Sequence, residues 1–225
     1  MITTRDLSKV FHDGDREIRP VKNVSIEIPD GQFLSIVGRS GSGKTTLLKM
    51  LGGLLKPTDG SVLIDGEELY GMAESALADY RSNRIGFVFQ DYLLEEAYTV
   101  EQNIEIALMI AGVSEREREK LITKALEETE MLHKRTSKVG VLSGGEKQRV
   151  SIARAIVNRP AVIFADEPCG NLDYENGLNI MRLLREQCKQ GKTVVLITHN
   201  REDAMLTDRI VTLKDGMVVK DEMVG

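Results

Sequence analysis

Short runs of β-branched and aliphatic residues, bounded by Gly, Asp and Pro, alternate along the chain with longer stretches whose apolar positions recur every three or four residues. That alternation of periods is the pattern of a layered α/β protein. Strands are predicted at "VSIEI" (24–28), "FLSIVG" (33–38), "SVLID" (61–65), "IGFVFQ" (85–90), "AVIFAD" (161–166), "TVVLITH" (193–199) and "RIVTLKDG" (209–216). Residues 33–37, 161–165 and 193–198 are almost continuously apolar, as expected of strands covered on both faces. Asp215-Gly216, between two β-rich runs, predicts a tight hairpin.

Between about residues 91 and 155 strand signals give way to helical ones. "SEREREKLITKALEETEML" (114–132) opens with Ser114 and Glu117 at capping-box spacing and sets Leu121, Ile122, Ala125, Leu126 and Leu132 along one face; its charges read as a solvated face. "LNIMRLLREQCKQG" (178–191) predicts a helix that buries Leu178, Met181, Leu184 and Cys188 and stops at Gly191 as C′. The expectation is one domain over 1–225: an α/β core from 1–90 and 156–225, interrupted by a helical insertion at about 91–155.

Length and charge narrow the function. A chain of 225 residues suits one large domain, and a net charge of -5 lacks the footprint of a dedicated nucleic-acid binder. Cys169 and Cys188, without a signal peptide, are expected to be structural thiols in a reducing cytosol. No apolar run approaches the ~18 residues of a spanning helix; the most apolar helical stretch, "NIEIALMIAGV", is short and carries Glu105. If a membrane matters, another chain must cross it.

The chemistry is concentrated in a few motifs. "GRSGSGKT", residues 38–45, follows an apolar strand and precedes a helix-forming run, the context of a phosphate loop. Its glycines (Gly38, Gly41, Gly43), with Arg39, Ser40 and Ser42 between them, let backbone N–H groups curl around phosphate, and the helix N-terminus adds positive potential. Lys44 is expected to reach the β/γ-phosphates and Thr45, followed by Thr46, to coordinate magnesium. "AVIFADEP" delivers Asp166 and Glu167 to a strand end, where open α/β sheets place ligands. There Asp166 would hold the magnesium shell and Glu167 would polarise an attacking water.

A second phosphate-suited stretch, "LSGGE" (142–146), follows much later. Taken in order, "GRSGSGKT", "LSGGE", "ADEP", "NLD" and "TH" resemble an ATP-binding-cassette (ABC) ATPase over essentially the whole chain. The resemblance implies an α/β, P-loop NTPase (RecA-like) core with an inserted helical subdomain and an N-terminal antiparallel β part. It also implies ATP and Mg2+ as cofactors and head-to-tail pairing with a second copy, so that the phosphate loop of one chain and Ser143, Gly144, Gly145 and Glu146 of the other hold one ATP. On this resemblance Gln90 touches magnesium and the attacking water, Asp173 crosses the dimer interface and His199 contacts the γ-phosphate. Phe11 sits where an aromatic stacks on adenine, with a packed core Phe as the other reading. Three positions depart from the family's pattern: Cys169 for Thr or Ser, Val141 for a polar residue, and Asn200 for Asp.

Further details resemble the macrolide-export, lipoprotein-releasing and antimicrobial-peptide-resistance subclass. That implies an integral membrane permease partner, a cytoplasmic location at the inner face of the cell membrane, and export or extraction of a peptide, drug or lipoprotein. A cell-division cassette controlling wall hydrolases is a close alternative. A soluble ABC ATPase acting on DNA or ribosomes would carry a long coiled coil or two cassettes, neither of which is present. A lone phosphate-loop kinase has no need of "LSGGE", and an inactive binding module would lose Lys44, Glu167 or His199.

Overall fold

The computed structural model describes residues 1–224. In chain order the first part comprises β1 (Ile2–Asp13), β2 (Arg16–Val24), β3 (Glu27–Ile28), β4 (Phe33–Val37), α1 (Lys44–Leu51), β5 (Asp59–Ile64), β6 (Glu67–Glu68), α2 (Glu74–Arg84) and β7 (Ile85–Phe89). Then come three helices, α3 (Val100–Ile110), α4 (Glu115–Glu128) and α5 (Gly144–Ile156). The last part is β8 (Val162–Asp166), α6 (Tyr174–Lys189), β9 (Thr193–Thr198), α7 (Arg201–Met205), β10 (Arg209–Lys214) and β11 (Met217–Met223).

Two sheets organise these elements. One is antiparallel, in the order β2-β1-β5-β6 with β3 also on β1. The other runs β11-β10-β4-β9-β8-β7, parallel from β10 to β7, with β11 folded back antiparallel on β10. Asp215 and Gly216 at the β10–β11 turn both have positive φ, 49° and 85°, the backbone of a type I′ hairpin.

The parallel sheet is covered on both faces, which explains its apolar runs. Ile163 and Ala165 of β8 and Val194 and Leu196 of β9 point into one core with Val100, Ile104, Ile122 and Leu126 of α3 and α4. Val162, Phe164, Val195 and Ile197 point the other way, into a core shared with α1 and the antiparallel sheet. The helical insertion therefore packs on a core continuous with the sheet.

Three local expectations need correction. Leu132 lies past the end of α4 in a 3-10 turn and is 40% exposed, because the chain breaks from the helix after Glu128. Ser114 stands at the N-cap of that helix without a capping-box bond; its hydroxyl hydrogen-bonds Glu117 Oε2 at 2.6 Å instead of a backbone N–H. Leu178 is 37% exposed, since the buried stripe of α6 is Gly177, Ile180, Met181, Leu184 and Cys188, and at 100° per residue Leu178 falls to its side. Gly191 is the C′ residue, with φ 91° and its N–H on Cys188 O, completing a Schellman pair with Lys192 N–H on Gln187 O.

Candidate functional site

Register across the parallel sheet builds the site. Val37 lies opposite Thr198, Ile197 opposite Asp166, and Asp166 opposite Phe89, so β4, β9, β8 and β7 end side by side. The residues that follow are the phosphate loop, His199, Glu167 and Gln90. Motifs far apart in sequence thus meet along one edge, the carboxyl end of the strands, where this class of sheet binds ligands.

The loop at 38–43 links β4 to α1, and glycine is required at two of its turns. Gly43 has φ 99°, and a Cβ there would sit 1.9 Å from the Pro20 carbonyl oxygen; a Cβ on Gly38 would sit 2.3 Å from that of Leu213. Lys44 begins α1 and its ammonium donates to the carbonyls of Gly38 (2.9 Å) and Arg39 (3.2 Å), crossing the mouth of the loop. Thr45 Oγ1 donates to Asp166 Oδ1 at 3.2 Å. Burial foremost, helped by the neighbouring Glu167 charge, pushes the Asp166 carboxyl above the usual carboxylate range.

Glu167 follows Asp166 with φ 48°, a left-handed backbone that a non-glycine residue adopts only when its surroundings enforce it. Its Oε2 lies 2.6 Å from His199 Nδ1. Gln90 exchanges two bonds with Asn171: Gln90 Nε2 to Asn171 Oδ1 (3.1 Å) and Asn171 Nδ2 to Gln90 O (3.2 Å). A cleft of about 520 Å³ lies among Thr45, Lys49, Gln90, Asp91, Asp166 and Glu167.

Ser143 and Glu146 lie outside that cleft's lining and form a capping box on α5: Ser143 N–H donates to Glu146 Oε2 (2.8 Å), and Glu146 N–H donates to Ser143 Oγ (3.3 Å). The bond from the Ser143 backbone, with help from Lys134, holds the Glu146 carboxyl below its usual range. Gly144 and Gly145 pack closely, a Cβ on the second falling 2.4 Å from Asn176 Oδ1. Asp173 is the N-cap of α6, accepting from Asn176 N–H at 2.9 Å and Asn176 Nδ2 at 2.8 Å. Those bonds hold its carboxyl low. Phe11 is 40% exposed, with Lys9 Nζ 5.2 Å from the ring centroid, so it is not a core residue.

The departures from the family pattern have local explanations. Asn200 caps α7 through Oδ1, accepting from Glu202 N–H at 2.8 Å, as an Asp would. Cys169 is partly buried, its Sγ 3.5 Å from Gly177 O, and burial pushes the thiol up to about 12. Val141 is 79% exposed immediately before "LSGG".

Lys49 and Asn171 escaped the sequence reading. Lys49 stands one helical turn after Thr45, so its place at the cleft was available from the period of α1. The pairing of Asn171 with Gln90 depends on the β7–β8 register and has no sequence signal.

The model of the family described as "ABC transporter" matches residues 21–170. The chain belongs to the ABC transporter family. An uncharacterized ABC transporter ATP-binding protein of Thermotoga maritima is 43% identical over 216 residues, 95% of this chain and 91% of that one. The lipoprotein-releasing system ATP-binding protein LolD of Geobacter metallireducens is 40% identical over 222 residues, 98% of this chain and 99% of that one. The macrolide export ATP-binding/permease protein MacB of Brucella melitensis is also 40% identical, but the chain spans only 34% of its length. Among solved structures, the ATP-binding cassette MJ0796 as a post-hydrolysis dimer bound to ADP and Pi superposes with a TM-score of 0.92 at 39% identity, covering 100% of this chain and 99% of that one. The fold is that of an ABC ATPase cassette, and the chain is a nucleotide-binding ATPase of that family.

Proposed function

We propose that this ABC ATPase hydrolyses MgATP as a head-to-tail homodimer and drives a separate membrane permease. The observation that carries the reading is the alignment of four strand ends, which gathers the phosphate loop, Asp166–Glu167, Gln90 and His199 at one sheet edge.

In this reading the N–H groups of residues 38–46 and the ammonium of Lys44 hold the phosphates. Glu167 accepts a proton from the attacking water, and His199, bonded to Glu167 Oε2, orients that carboxylate and faces the γ-phosphate. Gln90 positions the same water, and Phe11 offers an exposed ring to adenine. Magnesium fits the donor set: Thr45 Oγ1 and Asp166 Oδ1 are hard oxygen ligands 3.2 Å apart beside Gln90, with a carboxyl whose raised affinity for protons reports uncompensated buried charge. Among the described residues no group of three or more His, Cys, Asp or Glu forms a cage, as suits an ion that takes its other ligands from water and phosphate. When bound, the ion would neutralise charge on the transferring phosphoryl group.

The second copy supplies what the cleft lacks. Ser143, Gly144 and Gly145 form a capped helix N-terminus outside the cleft's lining, next to the exposed Val141, and would close on a partner's nucleotide. Asp173 would sit at the same interface. The MJ0796 cassette is a dimer in its ADP- and Pi-bound structure, which supports this arrangement.

No helix among the described residues is long and apolar enough to cross a membrane. A permease would seat on the apolar groove between β7 and α3, where Phe87, Phe89, Ile106 and Ile110 line about 310 Å³ and Ile110 is 72% exposed. On this reading the chain would sit at the inner face of the membrane. Of the expected cargoes, a peptide, drug or lipoprotein, the lipoprotein-releasing and macrolide-export names of LolD and MacB support a lipoprotein or a drug. The testing variant is Glu167→Gln. It should slow ATP hydrolysis by roughly 10²–10⁴ with ATP affinity retained; hydrolysis at the parent rate would remove Glu167 from its role.

A further inference from the structure

One wall of the cleft is a strained strap. Tyr92 and Leu93, consecutive and neither glycine, have φ of 58° and 49°. L-residues occupy that region rarely and singly, so two in succession need external enforcement. One face of α5 supplies it. Arg154 Nη2 donates to Tyr92 O at 2.9 Å and Nη1 to Leu93 O, Ser151 Oγ donates to Tyr92 O at 3.2 Å, and Gln148 Nε2 reaches Phe89 O at 3.4 Å. Positions 148, 151 and 154 recur every three residues, so these donors form a column beside the strap.

Arg154 is unusual among them. Among the described residues no carboxylate lies within ion-pair distance of its guanidinium, and backbone carbonyls alone receive it. A partly buried, unpaired cation is a costly way to hold a loop, and a neutral donor would fill the same space at lower desolvation cost. The guanidinium offers what a neutral donor does not, two N–H groups in a rigid fork that bind adjacent carbonyls at once. The gripped segment includes Asp91 and Leu93, which with Gln90 line the cleft at Thr45, Asp166 and Glu167. The same arginine also lines the apolar groove with Phe89, Ile106 and Ile110, and stands on the helix that Ser143 caps. It is therefore the side chain shared by groove, strap and signature helix.

We propose that Arg154 is a positioning residue for hydrolysis: its fork locks the left-handed Tyr92–Leu93 strap and thereby fixes Gln90 in the cleft. It acts through Gln90, touches no nucleotide, and rests on the role given to Gln90 above. The clamp sets the rate of hydrolysis and leaves nucleotide affinity alone, because the phosphate loop is built by other elements.

The test uses the full chain carrying Arg154→Met, which keeps the stem and removes the fork, and Arg154→Lys, which keeps the charge but grips one carbonyl at a time. Expected for Arg154→Met is a fall in kcat of about a hundredfold, the scale of an ångström-level misplacement. The Kd for a fluorescent ATP analogue should stay within a factor of about two, and amides 91–94 should lose hydrogen-exchange protection. Arg154→Lys should fall between. Adding Leu93→Gly to Arg154→Met should recover part of kcat, since glycine adopts positive φ without strain, and adding Gln90→Ala should lower it no further. Parent kcat in Arg154→Met, or a loss of kcat matched by an equal loss of affinity in Arg154→Lys, overturns the proposal. If Arg154→Met fails to fold, the same split in Arg154→Lys decides. A Gln90→Ala variant with parent kcat would instead sink the role of Gln90, whatever the strap's exchange shows.

Discussion

Replacing glycines of the phosphate loop by alanine separates backbone strain from steric clash, because two of them differ only in their surroundings. Gly41 has φ 78° with no heavy atom within 4 Å of an added Cβ, whereas Gly43 has φ 99° and its Cβ would lie 1.9 Å from Pro20 O. Left-handed backbone costs an L-residue about 1–2 kcal/mol, and that is the whole expected effect of Gly41→Ala. At Gly43 the Pro20 carbonyl must also retreat by more than about 1 Å to reach a normal contact. It has little room, because a Cβ on Gly216 would itself come within 2.9 Å of that oxygen and Lys22 N–H is bonded to Gly216 O at 2.8 Å. Overpacking of this kind adds about 1–3 kcal/mol. At about 2–4 °C per kcal/mol for a chain of this size, Gly41→Ala should melt some 2–8 °C below the parent and Gly43→Ala at least about 2 °C lower still. Thermal unfolding by circular dichroism without nucleotide measures both. ATP affinity should fall more in Gly43→Ala, since Gly43 is the N-cap of α1 and sets the direction of its N–H groups. Coincident melting curves for the two variants would refute the clash with β2 and the close loop packing it implies.

Four further outcomes follow from the geometry. Ser143→Arg should spare nucleotide binding by the single chain but abolish ATP-driven pairing measured by light scattering. Ser143→Ala, which loses the cap and the hydroxyl offered to the partner's nucleotide but introduces no bulk, should cost about 0.5–2 kcal/mol in thermal stability and weaken pairing without abolishing it. Cys169 should resist a thiol reagent at pH 8 in the native state and react on unfolding, because its thiol is pushed up to about 12; rapid native labelling would contradict its burial. Asp221 makes a two-pronged contact with Arg209 at 2.5 and 2.6 Å, which holds its carboxyl below the usual value. A lowered folded pKa stabilises above the unfolded value near 3.8, and that contribution disappears as pH falls through the lowered value. Asp221→Asn should therefore lose about 0.5–1 kcal/mol at pH 7 after solvent screening, a difference from the parent that closes in acid; a gap independent of pH would refute it.

The chemistry-bearing parts were legible because each is a local statement. A run such as 161–166 reads as a buried strand, and its last residue is then placed at the ligand-binding edge. The capped start of α5 is a local feature too, since "LSGGE" contains both halves of its capping box, although the stretch was read only for phosphate. What escaped depends on neighbours. β2 pairs with β1 from Leu7 to Asp13, yet β1 beyond Leu7 has no buried residue and the register slips between Leu7 and Phe11, so no clean alternation marks them. α2 has no buried residue, so its helical period leaves no apolar stripe. The strap at Tyr92–Leu93 was invisible because its backbone is imposed by donors about sixty residues away on α5. Roles for Ser143 and Asp173 came from resemblance; the structure adds that both cap helices, so substituting either changes stability as well as pairing.

The central claim, that two copies close on ATP with the signature of one over the phosphate loop of the other, is tested most directly by the solution mass of Glu167→Gln with and without MgATP. The account predicts the mass of one chain without nucleotide and twice that with it, reversed when Ser143→Arg is added. A Glu167→Gln chain that binds ATP yet keeps the mass of a single chain would contradict it.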